Sequence, residues 1–211
     1  MRYVPLCKIT HSLPYTSGAM LAAAKEALAS GGVACAPVSG FHHAGWDHAR
    51  GFCTFNGLMV TALALLAEGL VNPVGILDCD QHNGDGTDNI INSLGVSDRI
   101  RHYSGGEVSR QAKPFLRELA ALTCSFSDCE VLLYQAGADP HVDDPLGGWL
   151  TTAELKERDR IVFETARAMG LPVAWDLAGG YQRDDDGGIR PVLDIHDNTM
   201  RECLAVFAAM R

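Results

Sequence analysis

The stretch ILDCDQHNGDGT, residues 76–87, sets Asp78, Asp80 and His82 at alternate positions directly behind an apolar run. Side chains at alternate strand positions share a face, so two carboxylates and an imidazole are aimed at one small volume. Ionised acids crowded there repel each other and lose hydration, a cost met by protonation, pairing or a bound cation. Asp80 and His82 offer one oxygen and one nitrogen ligand to a divalent metal, with a third ligand from elsewhere and water completing an open site. The competing reading is a buried ion pair at a strand end. An EF-hand calcium loop is excluded, because Asn83 and Asn89 stand where that loop needs Gly and Glu.

Three further stretches carry chemistry: FHHAGWDHARGFC (41–53), QAGADPHVDDPLGG (135–148) and DLAGGYQ (176–182). His42-His43 is a tandem pair behind a strand, and Asp78 and Asp85 are acids left over from the ligand set. Carboxylates beside imidazoles fix the tautomer and raise basicity, and two histidines match two spare acids in number. The plainer reading of the pair is one buried and one solvated ring. Asp144 is the candidate third metal ligand, with Asp143 its competitor. A zinc site of Asp80, His82 and Asp144 has formal charges that cancel, leaving a water whose pKa falls toward neutrality. Tyr181 follows Gly179-Gly180, which allow close approach to a ligand, and its hydroxyl is a candidate donor to a developing oxyanion. Gly51-Phe52 reads as an apolar wall of a substrate channel or as core. His11, His48, His102, His141 and His196 read as surface or structural, and the run at 183–188 (RDDDGG) as a solvated turn.

The elements that must position these groups alternate. Helices are expected at 17–29, 52–70, 88–94, 114–122, 152–169 and 199–210. Strands are expected at 33–38, 74–78, 99–103, 131–135 and 172–175. Strands separated by helices of about a dozen residues indicate right-handed crossovers, hence an α/β fold: a mostly parallel, doubly wound sheet with helices on both faces. All four polar stretches follow strands, where open α/β sheets build their sites. One shared site is the simplest account.

The chain has 211 residues, 47% of them hydrophobic, enough for one domain with a sizeable core. A net charge of −9 argues against nonspecific affinity for nucleic acid or anionic membrane. Seven cysteines without a C-x-x-C pair, and no apolar signal core at the N-terminus, point to a reducing cytoplasm rather than a disulfide framework. The most apolar helical window, 57–71, is too short for a membrane span and reads as a core helix.

In order and internal spacing, the four stretches together resemble the histone deacetylase superfamily, including its bacterial acetylpolyamine amidohydrolase and acetoin-utilisation relatives, over roughly residues 15–185. The resemblance implies an arginase/deacetylase-like fold and a zinc-dependent amidohydrolase that removes an acyl group, acetyl above all, from an amine such as acyl-lysine or acetylpolyamine. Asp80, His82 and Asp144 would be the metal ligands, with zinc usual and iron able to serve. His42 and His43 would be the catalytic pair backed by Asp78 and Asp85 respectively, with His43 the principal acid/base. Tyr181 would polarise the substrate carbonyl, and Gly51 and Phe52 would line the acyl-lysine channel. A structural potassium ion would lie near Asp78, Asp80 and His82.

Ala178 departs from the first of three family glycines, and Gly40-Phe41 from a Pro-Gly. Family catalytic domains also extend well upstream of residue 17. The expectation is therefore a single deacetylase-like domain over residues 1–211 that lacks the usual N-terminal portion, its pocket wide, shallow or completed by another subunit of a homo-oligomer. The alternative from another class is a catalytically weak, metal-stabilised binding or assembly module. An arginase-like ureohydrolase needs a second metal and more carboxylates than these motifs offer.

Overall fold

The computed structural model describes residues 6–105 and 111–208. Helices and strands alternate: α1 (Leu6–Ser30), β1 (Val33–Ala36), α2 (Gly57–Ala67), β2 (Val74–Asp78), α3 (Asp85–Leu94), β3 (Ile100–Ser104), α4 (Ala112–Cys124), β4 (Val131–Gly137), α5 (Thr152–Met169), β5 (Val173–Ala178) and α6 (Arg190–Phe207). The strands form one sheet in the order β1-β5-β4-β2-β3, every pair parallel. Parallel strands need crossovers, and the helices supply them on both faces.

Side-chain alternation along β4 divides the core. Val131 and Leu133 pack with Met20 of α1, Leu58 and Leu65 of α2 and Ile90 of α3. Leu132 and Tyr134 pack with Leu119 of α4, Val162 and Phe163 of α5 and Ile195 of α6. Both faces of β2 and β4 are buried along their whole length, which is why these segments read as unbroken apolar runs. No helix among the described residues is long and apolar enough to cross a membrane, and the six cysteines whose side chains are described are all free.

Two helices, α1 and α6, begin about ten residues earlier than sequence reading places them. Residues 16 and 17 look like a cap, yet α1 runs through Pro14, and the Thr16 hydroxyl turns back to donate to the Leu13 carbonyl (3.0 Å). At α6, Pro191 occupies the first turn, where its missing N–H costs nothing and its fixed φ favours helix. The expected end of that helix at Met210 lies outside the described residues. By contrast α5 has the expected bounds, because the Thr151/Glu154 capping box starts it and left-handed Gly170 stops it.

His196 of α6 is buried, and burial first, then the charge of Arg158, push its pKa down from 6.5 to about 4. Between those values the unfolded chain binds a proton that the folded chain excludes. The contribution to stability is therefore complete above about pH 6.5 and lost as pH falls toward 4, by on the order of 3 kcal/mol. Denaturant unfolding across this range should show a shallower acid limb for His196→Asn, and an unchanged slope would contradict the assignment.

Candidate active site and metal centre

β2 ends in Asp78, which is fully buried. Its Oδ1 accepts from the Asp80 backbone N–H (3.0 Å) and from Gln135 Nε2 (2.9 Å), and its Oδ2 lies 2.7 Å from His42 Nδ1. Burial alone would lower the His42 pKa, but the Asp78 charge and hydrogen bond overcome it and raise the value to about 9. Burial likewise opposes ionisation of Asp78, and the adjoining His42 holds its pKa below the usual range. Asp78 is thus an anion with a fixed acceptor for His42.

The second imidazole has its own carboxylate. His43 Nδ1 lies 2.6 Å from Asp85 Oδ1, in the first turn of α3, and Arg50 Nη1 donates to Asp85 Oδ2 at 2.5 Å. Against a burial effect that raises it, the Asp85 pKa is lowered by the His43 hydrogen bond and by the His43 and Arg50 charges. The two imidazole rings lie 4.1 Å apart. Gly51 adopts a φ of 56° beneath them, where a Cβ would stand 2.3 Å from the His43 ring.

Asp80, His82 and Asp139 each present one ligand atom, all within 4.8 Å of one another. His82 Nδ1 is 3.1 Å from Asp80 Oδ1 and 3.0 Å from Asp139 Oδ2. This corrects the expected ligand set: the acid that meets Asp80 and His82 is Asp139, not Asp144. Both Asp144 oxygens are engaged elsewhere, Oδ1 by the Leu146 N–H (2.9 Å) and Oδ2 by the Tyr181 N–H (2.8 Å). The alternation that singles out Asp78, Asp80 and His82 behind β2 also picks out Gln135, Gly137 and Asp139 behind β4. That was the available signal, and the more conspicuous Asp-Asp-Pro downstream concealed it.

Close approach makes this cluster. A Cβ at Gly137 would stand 2.7 Å from the Asp80 Cα, and one at Gly179 within 2.3–2.5 Å of the Asp139 carboxyl atoms. Burial first, then the Asp80 charge, raise the Asp139 pKa to about 6. Hydrogen bonds that His82 donates to Asp139 and Asp80 raise its pKa to about 10. Two crowded acids and one imidazole, whose ligand atoms all lie within 4.8 Å of one another, form a donor set that fits a divalent cation.

Tyr181 sits on the loop behind β5. Its pKa is raised to about 12 by burial, then by Asp139 and Asp80, so its hydroxyl is a donor at neutral pH. Phe52, with φ 62°, is 80% exposed and its ring centroid is 6.2 Å from that of Tyr181. It is therefore a mouth residue rather than core. A cavity of about 60 Å³ is lined by His42, Phe52, Asp80, Gln135, Gly179 and Tyr181 among others. Larger hollows of about 400 Å³ between α5 and α6 and about 450 Å³ beside β3 lack this convergence of groups. Of the remaining histidines, His141 is buried against the Thr152 hydroxyl and His102 against Asp88, while His11 and His48 are exposed.

A parallel α/β sheet carrying a carboxylate–imidazole–carboxylate cluster beyond its strand ends defines the class of protein. The model of the histone deacetylase domain matches residues 4–104. An uncharacterised protein of Picosynechococcus sp. is 31% identical, over 84% of this chain and 62% of its own length. The acetoin utilization protein AcuC of Staphylococcus aureus is 29% identical, over 64% and 42%. The fold is shared with acetylpolyamine aminohydrolase from Burkholderia pseudomallei (TM-score 0.71, 20% identity, 91% of this chain and 62% of that one). It is shared also with the HDA15 HD domain (TM-score 0.69, 20% identity, 90% and 60%). The chain is similar to the histone deacetylase superfamily, and it spans less than two thirds of the length of each of these relatives.

The glycine geometry yields a paired expectation. Gly179→Ala should lower unfolding stability by about 1–3 kcal/mol through overpacking against Asp139. Gly18→Ala, in α1 with nothing within 4 Å of the added Cβ, should leave stability unchanged or raise it by up to ~1 kcal/mol. Equal effects in denaturant titrations would refute the close-approach account.

Proposed function

We propose that this chain is a metal-dependent amidohydrolase that removes an acyl group, acetyl above all, from an amine such as an acyl-lysine or acetylpolyamine. The observation that carries the reading is convergence: His42, Asp80 and Tyr181 line one small cavity at the sheet's carboxyl edge, the His43 ring lies 4.1 Å from that of His42 and 5.8 Å from that of His82, and Asp80 meets His82 and Asp139. The match to the histone deacetylase domain supports it, as do relatives named for acetoin utilisation and acetylpolyamine hydrolysis.

Asp80, His82 and Asp139 would hold the ion, zinc by the chemistry of one imidazole and two carboxylates, with iron an alternative. Such an ion supplies Lewis acidity toward a carbonyl and acidifies water. The chain's own groups do the rest. His43, oriented through Nδ1 by Asp85, takes the proton of the attacking water at Nε2, while the amide carbon gains the water oxygen. Tyr181 donates its hydroxyl to the developing oxyanion. The C–N bond then breaks, the proton passes from His43 to the leaving amine, and carboxylate and amine depart. His42, held by buried Asp78, is the electrostatic partner of His43. Phe52 and Gly51 line the approach to the cavity. By the family resemblance a structural potassium ion would lie near Asp78, Asp80 and His82. The free cysteines suit a reducing cytoplasm.

A panel of fluorogenic acyl-lysines and acetylated polyamines, assayed with chelator and after zinc restoration, tests the activity. Turnover should vanish and return. Folded, metal-loaded protein that hydrolyses nothing in the panel would rule the enzyme out in favour of a binding module. Tyr181→Phe should lower kcat by about 10²–10³ with metal content retained, and a parental rate would remove its role. Elemental analysis should find metal lost in Asp139→Ala and kept in Asp144→Ala; the opposite pattern would restore Asp144 as the ligand.

A further inference from the structure

Beneath the cluster, on the opposite face of the sheet, lies a fully buried arginine. Arg158 projects from α5, and its Nη1 donates to two main-chain carbonyls, that of Cys79 at 3.1 Å and that of Gly137 at 2.7 Å. Cys79 is the residue before Asp80, and Gly137 lies two residues before Asp139. These carbonyls occur where regular pairing of the two strands runs out, one residue past the Asp78–Gln135 pair of the ladder on β2 and at the last residue of β4. One nitrogen thus ties together the main chain leading to both carboxylates of the candidate metal centre.

The charge is itself anchored. Arg158 Nε and Nη2 each lie 2.8 Å from Asp159 Oδ1, which also accepts from the Tyr134 hydroxyl of β4 (2.5 Å). Asp159 Oδ2 accepts from Thr199 of α6 (2.6 Å). A buried ion pair is poor evidence for stability, because desolvation opposes it. Here the pair has a geometric output instead: a rigid guanidinium fork whose free donors hold two strand ends at one separation.

We propose that Arg158 is a positioning residue for metal binding, setting through the Cys79 and Gly137 carbonyls the spacing at which Asp80 and Asp139 meet His82. This rests on the metal reading of the cluster above. Asp159, Tyr134 and Thr199 hold the guanidinium in place, so α5 and α6 are coupled to a site they do not touch. Groups that orient a ligand from behind typically change metal affinity by about 10–100-fold when lost.

The test compares zinc affinity, measured by competition with a chromophoric chelator, and the visible spectrum of the cobalt-loaded protein. Removing Arg158 alone would strand a buried anion, so the first variant is Arg158→Met with Asp159→Asn. The control is Val162→Ala, which destabilises the same helix from within the core without touching either carbonyl. The double variant should bind zinc about 10–100-fold more weakly with an altered cobalt spectrum, while the control stays within about twofold of the parent. Arg158→Lys, with a single nitrogen and no fork, should fall between them and carries the comparison if the double variant does not fold. In the unaltered protein, by reciprocity of coupling, zinc should slow amide exchange in residues 156–161 of α5 as well as around Asp80 and Asp139. Parental affinity and spectrum in the Arg158 variants, or α5 exchange indifferent to zinc, would overturn the inference and leave the metal reading standing. Parent protein that binds no zinc or cobalt would remove both.

Discussion

Asp80 and Asp139 leave adjacent strands and bring their carboxyl groups against the same imidazole, and the surrounding structure is arranged around this crowding of acids. Burial first, and then the charge of Asp80, raise the proton affinity of Asp139. Holding them there takes backbone that can approach closely, which Gly137 and Gly179 provide by having no Cβ to collide with Asp80 and Asp139. It also takes strand ends that do not relax apart, and the Arg158 carbonyl contacts lie directly beneath them. Side chains alone would not resist the repulsion.

The parallel sheet converts sequence position into a row. Asp78, Gln135 and Asp176 are register neighbours across β2, β4 and β5, all fully or almost fully buried. Only Asp78 has an imidazole at hydrogen-bond distance, and only it has its pKa pulled down. Among the described residues Asp176 has no hydrogen-bond partner at either carboxyl oxygen. Burial first, then the charge of Asp78, place its pKa well above the ordinary carboxylate value. Of these three buried polar residues, Asp78 alone has its charge held by an imidazole. That charge is committed to His42, so the proposed catalytic pair is built from unequal members: a deep imidazole on a buried anion, and a more accessible one on Asp85, whose charge Arg50 shares.

The mouth is shaped by local strain rather than by core packing. Gly51 and Phe52 both take positive φ, an uncommon conformation for a phenylalanine. The turn leaves the Phe52 ring in solvent opposite Tyr181 instead of in the interior. Asp144 belongs to this part of the molecule. By accepting the Tyr181 N–H it ties the loop behind β4 to the loop behind β5, so an acid whose type suggested a metal ligand acts here as a loop fastener.

Much of this was legible in the residues themselves. Apolar runs bounded by Gly, Pro and capping residues marked every strand and helix, because burial on both faces and helix termination are local demands. The bounds of β2 and α5 coincide with expectation, whereas α1 and α6 begin earlier, α6 with a proline in its first turn. Alternation within one strand also sufficed to group Asp80 with His82. What it did not decide was the third member of that cluster. Asp139 and Asp144 are both acids in one loop, and which turns inward depends on where β4 ends beside β2, on the space left by Gly179 and on what the Tyr181 N–H requires. Those are relations between segments distant in the chain, so only the folded arrangement chooses between them.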